Sequence, residues 1–172
     1  KDYGAALALI QPLAEAEYPP ALKQMGDLYY YGEGVEEDNE MAAAYYRAAI
    51  DLGDTDAMVM LAELYAKGRG VSKNLNAAFK LYRQAAELGN ADGMYYLAMA
   101  YLYGDGTQEN HKKALEWYLR SGENGCASAY WALGRDYISG PFGDKDYGTA
   151  LGYYLLGSEL GSYSCTEEIA EL

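Results

Sequence analysis

A step of 36 residues runs through this chain without a gap. Gly32, Gly68, Gly104 and Gly140 are 36 apart, and so are Gly53, Gly89, Gly125 and Gly161. The same step links Met25, Leu61, Leu97 and Leu133, and again Tyr29, Tyr65, Tyr101 and Tyr137. Tyr46, Tyr82, Tyr118 and Tyr154 form a fifth column, and Ala42, Ala78, Ala114 and Ala150 a sixth. Self-similarity at such a period marks stacked supersecondary units, each too small to bury its apolar face alone.

Each unit reads as two helices. In the first, Leu22, Met25, Gly26, Leu28 and Tyr29 recur at steps of three and four, one helical stripe. Gly32-Glu33-Gly34 ends it, because glycine reaches positive φ without a Cβ clash. The second helix carries Ala42, Tyr45, Tyr46, Ala49 and Ile50, and Gly53 stops it. Before it stands the column Asp38, Asn74, Asn110 and Asp146, all side chains that cap a helix by accepting a backbone N–H. Gly26, Ala62, Ala98 and Gly134 are small where two helix backbones must approach. The expectation is an all-α, right-handed solenoid at 1–172. It has a partial repeat at 1–19, full repeats at 20–55, 56–91, 92–127 and 128–163, and a partial or capping helix at 164–172.

The ends follow the same register. Asp2 aligns with Asp38 and Ala6 with Ala42, so the chain opens on the second helix of a unit. Cys165 and Ile169 align with Ala129 and Leu133, so it closes inside a first helix. Pro12 is expected to kink the opening helix or end its regular hydrogen bonding. Starting at Lys1 without methionine and holding about 4.8 periods, the chain reads as a cut from a longer array.

These residues carry a resemblance. Ala21-Leu22, Met25-Gly26, Leu28-Tyr29, Gly32-Glu33-Gly34-Val35, Asp38, Ala42, Tyr45-Tyr46, Ala49 and Gly53 together resemble the Sel1-like repeat, a bacterial relative of the tetratricopeptide repeat. Leu61-Ala62, Tyr65 and Gly68-Arg69-Gly70-Val71 repeat the motif, as do Leu97-Ala98, Tyr101 and Gly104-Asp105-Gly106. The fourth copy departs: Gly140-Pro141-Phe142-Gly143 lacks the second glycine of the pair but keeps the loop length. The resemblance implies a non-catalytic scaffold or adaptor that binds a protein or peptide and needs no cofactor. Some secreted members carry a disulfide within each repeat, and Cys126 and Cys165 do not match that pattern. Some have been linked to β-lactam hydrolysis, but this chain has no Ser-x-x-Lys nucleophile.

Sites of chemistry are scarce. The Gly-x-Gly loops follow helices rather than strands, so they read as connections and not as phosphate cradles. His111 is the single histidine, at the start of a second helix on the surface, with no cluster to form a metal site. The acidic run Glu36, Glu37, Asp38 and Glu40 lacks calcium-loop spacing and fits capping and the helix dipole. Cys126 and Cys165 read as two thiols or, less simply, one bridge. With 26 acidic residues against 13 Lys plus Arg, the net charge of −13 argues against non-specific binding to nucleic acid or an anionic membrane, which needs a basic surface. No apolar run is long enough to insert in a bilayer. Low cysteine content fits a cytoplasm, and equally a periplasm if an export signal preceded Lys1.

A surface remains. In tetratricopeptide arrays the first helices line the concave face, and that mapping turns three columns inward. They read Lys23, Val59, Tyr95, Trp131 and Glu167; then Asp27, Glu63, Met99 and Arg135; then Tyr30, Ala66, Leu102 and Ile138. Tyr95, Met99, Leu102, Trp131 and Ile138 form an aromatic and aliphatic cluster edged by Asp27, Glu63 and Arg135, suited to a peptide or a partner's helix. The opposing reading is that Trp131 and Tyr95 merely pack between neighbouring helices. Two further alternatives are a repeat module within a longer chain whose catalytic or membrane part lies elsewhere, and a self-associating array. The chain is expected to be a monomer, with end-to-end association as the competing arrangement.

Overall fold

A computed structural model describes residues 3–172. Asp2, aligned in sequence with Asp38, lies outside them. The described residues form ten α-helices and no strand: α1 (Tyr3–Glu15), α2 (Pro19–Tyr31), α3 (Asn39–Asp51), α4 (Thr55–Lys67), α5 (Leu75–Glu87), α6 (Ala91–Tyr103), α7 (His111–Glu123), α8 (Ala127–Ser139), α9 (Tyr147–Glu159) and α10 (Tyr163–Glu171). Helix starts keep the 36-residue step, from Tyr3 through Asn39, Leu75 and His111 to Tyr147, and from Pro19 through Thr55, Ala91 and Ala127 to Tyr163. The chain divides into two compact units, one reaching to Ala85 and the other Ala86–Leu172.

The stop and start signals act as their chemistry requires. Gly32, Gly68, Gly104 and Gly140 cap first helices in the left-handed region, at φ 67°, 70°, 73° and 94°. Asp38, Asn74, Asn110 and Asp146 accept N–H bonds from the first turns of the second helices. The backbone N–H of those same four residues donates back to Tyr29, Tyr65, Tyr101 and Tyr137, at 2.9, 2.9, 2.7 and 3.1 Å. That bond fixes the span of every inter-helix loop. Pro12 does not end its helix: α1 runs through it to Glu15, and Ala16 N–H still reaches the Pro12 carbonyl. The proline withholds one donor near the end of a helix and lies exposed, so the cost of interruption is small.

The packing columns fill the interior. Tyr46, Tyr118 and Tyr154 are fully buried and Tyr82 nearly so. A Cβ on Gly26 would meet the Tyr46 ring, and one on Gly134 the Tyr154 ring. The absent side chains are therefore what lets these rings lie flat between helices. In unit 1, Ala21, Met25, Ala42, Tyr46, Leu61 and Leu64 belong to one core. In unit 2, Ala98, Leu102, Ala114, Tyr118, Ala129 and Leu133 belong to another. Both cysteines are free and buried.

Candidate functional site

In unit 1 the positions of the three variable columns are closed by their own bonds. Lys23 pairs with Asp27 one helical turn on at 2.8 Å, and Asp27 also accepts the buried Tyr46 hydroxyl at 2.9 Å. Tyr30 is buried and donates to Glu63 at 2.6 Å, while Lys67 pairs with the same Glu63 oxygen. Arg69 lies over the Tyr30 ring and pairs with Glu37 at 2.8 Å. Burial pulls the Glu63 carboxyl upward, but bonds from Lys67 and Tyr30 outweigh it and hold the group below its ordinary value. Burial opposes the charge on Lys23, and Asp27 overcomes it, so that ammonium is held above its usual value. Val59 is buried. This face presents satisfied groups.

Unit 2 fills the same columns differently. At the place of Asp27 and Glu63 stand Met99 and Arg135, so the Tyr118 hydroxyl meets no carboxylate at its own level and has no hydrogen-bond partner among the described residues. Burial drives the Tyr118 phenol well above its ordinary pKa, with Asp136 and Tyr95 adding to the shift. Tyr95 is half-buried, its ring 5.8 Å from that of Tyr118. Met99, half-buried, packs on the core beside buried Leu102. Trp131, also half-buried, donates its indole N–H to Glu168 of α10 at 3.3 Å and lies 5.0 Å from the Arg135 guanidinium carbon. Ile138 is half-buried near the end of α8. Tyr95 and Trp131 each pack on the unit 2 core and keep part of their surface exposed.

One residue stands outside the three variable columns. Asp136 occupies the position of Leu28, Leu64 and Ala100, buried in every copy, and is itself 2% exposed. Arg135 gives both Nε and one Nη to a single oxygen, Oδ1, at 2.9 and 2.7 Å. The other oxygen, Oδ2, is buried with no hydrogen-bond partner among the described residues. Burial raises the Asp136 carboxyl above its ordinary value, and Arg135 only partly offsets this. The odd member of an otherwise apolar column was the signal available in sequence, and attention to the columns that repeat passes over it.

The fourth loop opens beside this carboxylate. In the first three repeats the residue after the capping glycine (Glu33, Arg69, Asp105) donates its N–H to the carbonyl of Leu28, Leu64 or Ala100, at 2.9–3.1 Å. Pro141 holds that place in the fourth and has no N–H to give. Next in line, Gly70 sits at φ 64° with a virtual Cβ 2.6 Å from the Glu40 nitrogen, so only glycine fits there. Phe142 replaces it in the fourth copy, its ring 6.5 Å edge-on from His111 and 5.7 Å from Tyr137. A cleft of about 630 Å³ lies between Leu102, Tyr103, Glu109, His111, Arg135, Asp136, Ser139, Gly140 and Pro141. His111 contacts Glu109 at 2.7 Å on its rim. Among the described residues no three His, Cys, Asp or Glu side chains converge to hold a metal ion, and no helix is long and apolar enough to cross a membrane.

Comparison with known proteins follows the same register. A Sel1 repeat protein from Oxalobacter formigenes is 29% identical with a TM-score of 0.88, over 98% of this chain and 69% of that one. The protective antigen c5321 of uropathogenic Escherichia coli, which displays an SLR fold, is 28% identical with a TM-score of 0.78; the match covers 99% of this chain but only 37% of the antigen. The immunity protein Pa5087 of Pseudomonas aeruginosa, 24% identical at a TM-score of 0.73 over 96% of this chain and 61% of its own, shares the fold. No curated protein matches in sequence. The family model described as Sel1 repeat matches four consecutive segments, residues 19–54, 55–90, 91–126 and 127–162, and with four copies laid end to end over most of its length this chain belongs to the Sel1 repeat family.

Proposed function

We propose that this chain is a non-catalytic interaction module whose unit 2 face holds a peptide segment or helix of a partner protein. Sel1 repeats are generally protein–protein interaction modules, and the particular surface is inferred from the contrast between the units. The observation that carries it is the buried, half-satisfied Asp136 at the wall of an open cleft. A neighbouring ridge of Tyr95, Met99, Trp131, Arg135 and Ile138 would supply apolar anchors and an orienting charge. In unit 1 the corresponding positions Lys23, Asp27, Tyr30, Val59 and Glu63 would add little binding energy of their own, since their polar groups are already paired. The net charge of −13 favours a basic or neutral partner, because like charge slows encounter.

The test is capture of partners on the immobilised chain, followed by titration of each with wild type and Trp131→Ala. Loss of affinity beyond about 1 kcal/mol is expected; a change within about 0.5 kcal/mol for every partner removes the reading. Self-association is the second reading, motivated by exposed Leu151 and Leu155 on α9, Leu160 just past its end and Tyr163 at the start of α10. Mass by light scattering that rises with concentration would favour it, and a constant monomer mass would reject it.

A further inference from the structure

We propose that Arg135 reads a carboxylate: a glutamate side chain of the partner docks on the free edge of its guanidinium. This rests on the interaction reading above and names the side chain the module recognises.

The open donors select the ligand. Nε and Nη2 of Arg135 both end on Asp136 Oδ1, at 2.9 and 2.7 Å. The third nitrogen, Nη1, has no hydrogen-bond partner among the described residues and is not sealed from solvent. Because a guanidinium is planar, Nη1 and the second N–H of Nη2 form one edge with two parallel donors. A carboxylate meets that edge with both oxygens, whereas an amide offers one acceptor and no charge. The donors are also held in place. Asp136 fixes the opposite edge, and the Trp131 ring lies 5.0 Å from the guanidinium carbon, its indole N–H tied to Glu168. Since 41% of the Arg135 side chain stays in solvent, a ligand reaches it without opening the core, and docking needs little further ordering.

The molecule makes this contact once for itself. In unit 1, Arg69 lies over the Tyr30 ring and takes the Glu37 carboxylate at 2.8 Å. Arg135 has the aromatic ring but no such outer carboxylate. Of the two carboxylates lining its cleft, Asp136 is occupied at the inner edge and Glu109 lies against His111. These two also limit the charge that fits. A monoanion is repelled less than a phosphate dianion. With a net charge of −13, one acidic side chain in a neutral or basic segment is favoured over an acidic run. Tyr103 and Pro141 in the same lining offer apolar surface to the methylenes of a glutamate stem.

The test uses the full chain, isotopically labelled and titrated by NMR with Nα-acetyl-glutamate N-methylamide. The glutamine and lysine counterparts, Nα-acetyl-leucine as a chain-terminal carboxylate, and inorganic phosphate are titrated in parallel. Saturable shifts are expected at the Arg135 Nε–H and the Trp131 indole N–H. The glutamate amide should bind about tenfold tighter than the glutamine amide, and tighter than the other three. Arg135→Lys keeps the charge but removes the paired donors, and should weaken the glutamate amide about fivefold or more. Arg120→Gln is the control and should leave binding unchanged: Arg120 also lies over a tryptophan, 4.9 Å from the Trp117 ring, but on α7 outside the cleft. Equal binding of the glutamine amide, a preference for lysine, the terminal carboxylate or phosphate, shifts at Trp117 in place of Trp131, or unchanged affinity in Arg135→Lys would overturn the assignment. Should Arg135→Lys fail to fold, the wild-type series decides alone. If the glutamate amide does not bind while captured partners still depend on Trp131, the glutamate site is wrong and the interaction reading stands. If it binds while no partner depends on Trp131, the site stands and the broader surface is wrong.

Discussion

The first helices of the two units are built on one backbone plan, and the same columns on them reach opposite states. In unit 1 the step-36 positions carry Asp27 and Glu63, and each carboxylate meets a tyrosine hydroxyl and a lysine. In unit 2 the same positions carry Met99 and Arg135, and the carboxylate has moved one residue along, into the core, as Asp136. Tyr118 and Asp136 Oδ2 are left without hydrogen-bond partners among the described residues. A repeat makes such a contrast readable, because three copies act as internal controls for the fourth. Where the scaffold is shared, the departure from it is the informative part, and polar groups buried at a departure mark where stability has been given up.

The contrast can be broken most severely by copying the exception into unit 1. Leu64→Asp puts a carboxylate at a fully buried site whose neighbour is Glu63 instead of Arg135. We expect a loss of about 4 kcal/mol or more, measured by urea unfolding. Gly70→Ala comes next: positive φ and contact with the Asn39–Glu40 backbone predict a loss of about 3 kcal/mol, while Phe142→Gly at the matching place should cost under about 1 kcal/mol. The reverse exchange, Asp136→Leu, restores the column and should raise stability by about 1–2 kcal/mol, since the half-exposed Arg135 can turn to water. A smaller effect separates two tyrosines. Tyr46→Phe removes a bond to Asp27 and should cost about 1 kcal/mol, whereas Tyr118→Phe should be neutral or stabilising because its hydroxyl is unpaired.

The smallest effect concerns pH, and its sign follows from linkage. The folded-state carboxyl of Asp136 is raised above its unfolded value, so the native state binds its proton more tightly. Its contribution to stability therefore falls as pH rises from the unfolded value through the folded one, opposite in slope to that of Glu63, which is held low. The difference in unfolding midpoint between wild type and Asp136→Asn should move in favour of the variant across that window. A flat difference would show that Asp136 keeps an ordinary acidity.

Most of the fold was legible because it rests on columns. Caps, stops and buried tyrosines repeat, and each repetition tests the last. The site was less legible for two physical reasons. Helical phase tells which side of α2, α4, α6 or α8 a residue lies on but not how deep the neighbouring helices bury it, and Tyr30, Val59 and Leu102 prove to be buried. A column also directs attention to what is constant, whereas Asp136 matters by differing from Leu28, Leu64 and Ala100. The loss of the second glycine at Phe142 was visible in the chain, but its consequence, a cleft beside a carboxylate, required the missing N–H of Pro141 to be placed next to Asp136.

The bonds from Asp38, Asn74, Asn110 and Asp146 back to Tyr29, Tyr65, Tyr101 and Tyr137 act as a clasp at the foot of each loop. The fourth loop shows that the tip can change composition and path while the clasp stays shut. Residues 141–145 are thereby a graft point: a foreign recognition segment inserted there would hang from a closed base, and the following helix would keep its phase. An array of this kind can be re-equipped one tip at a time.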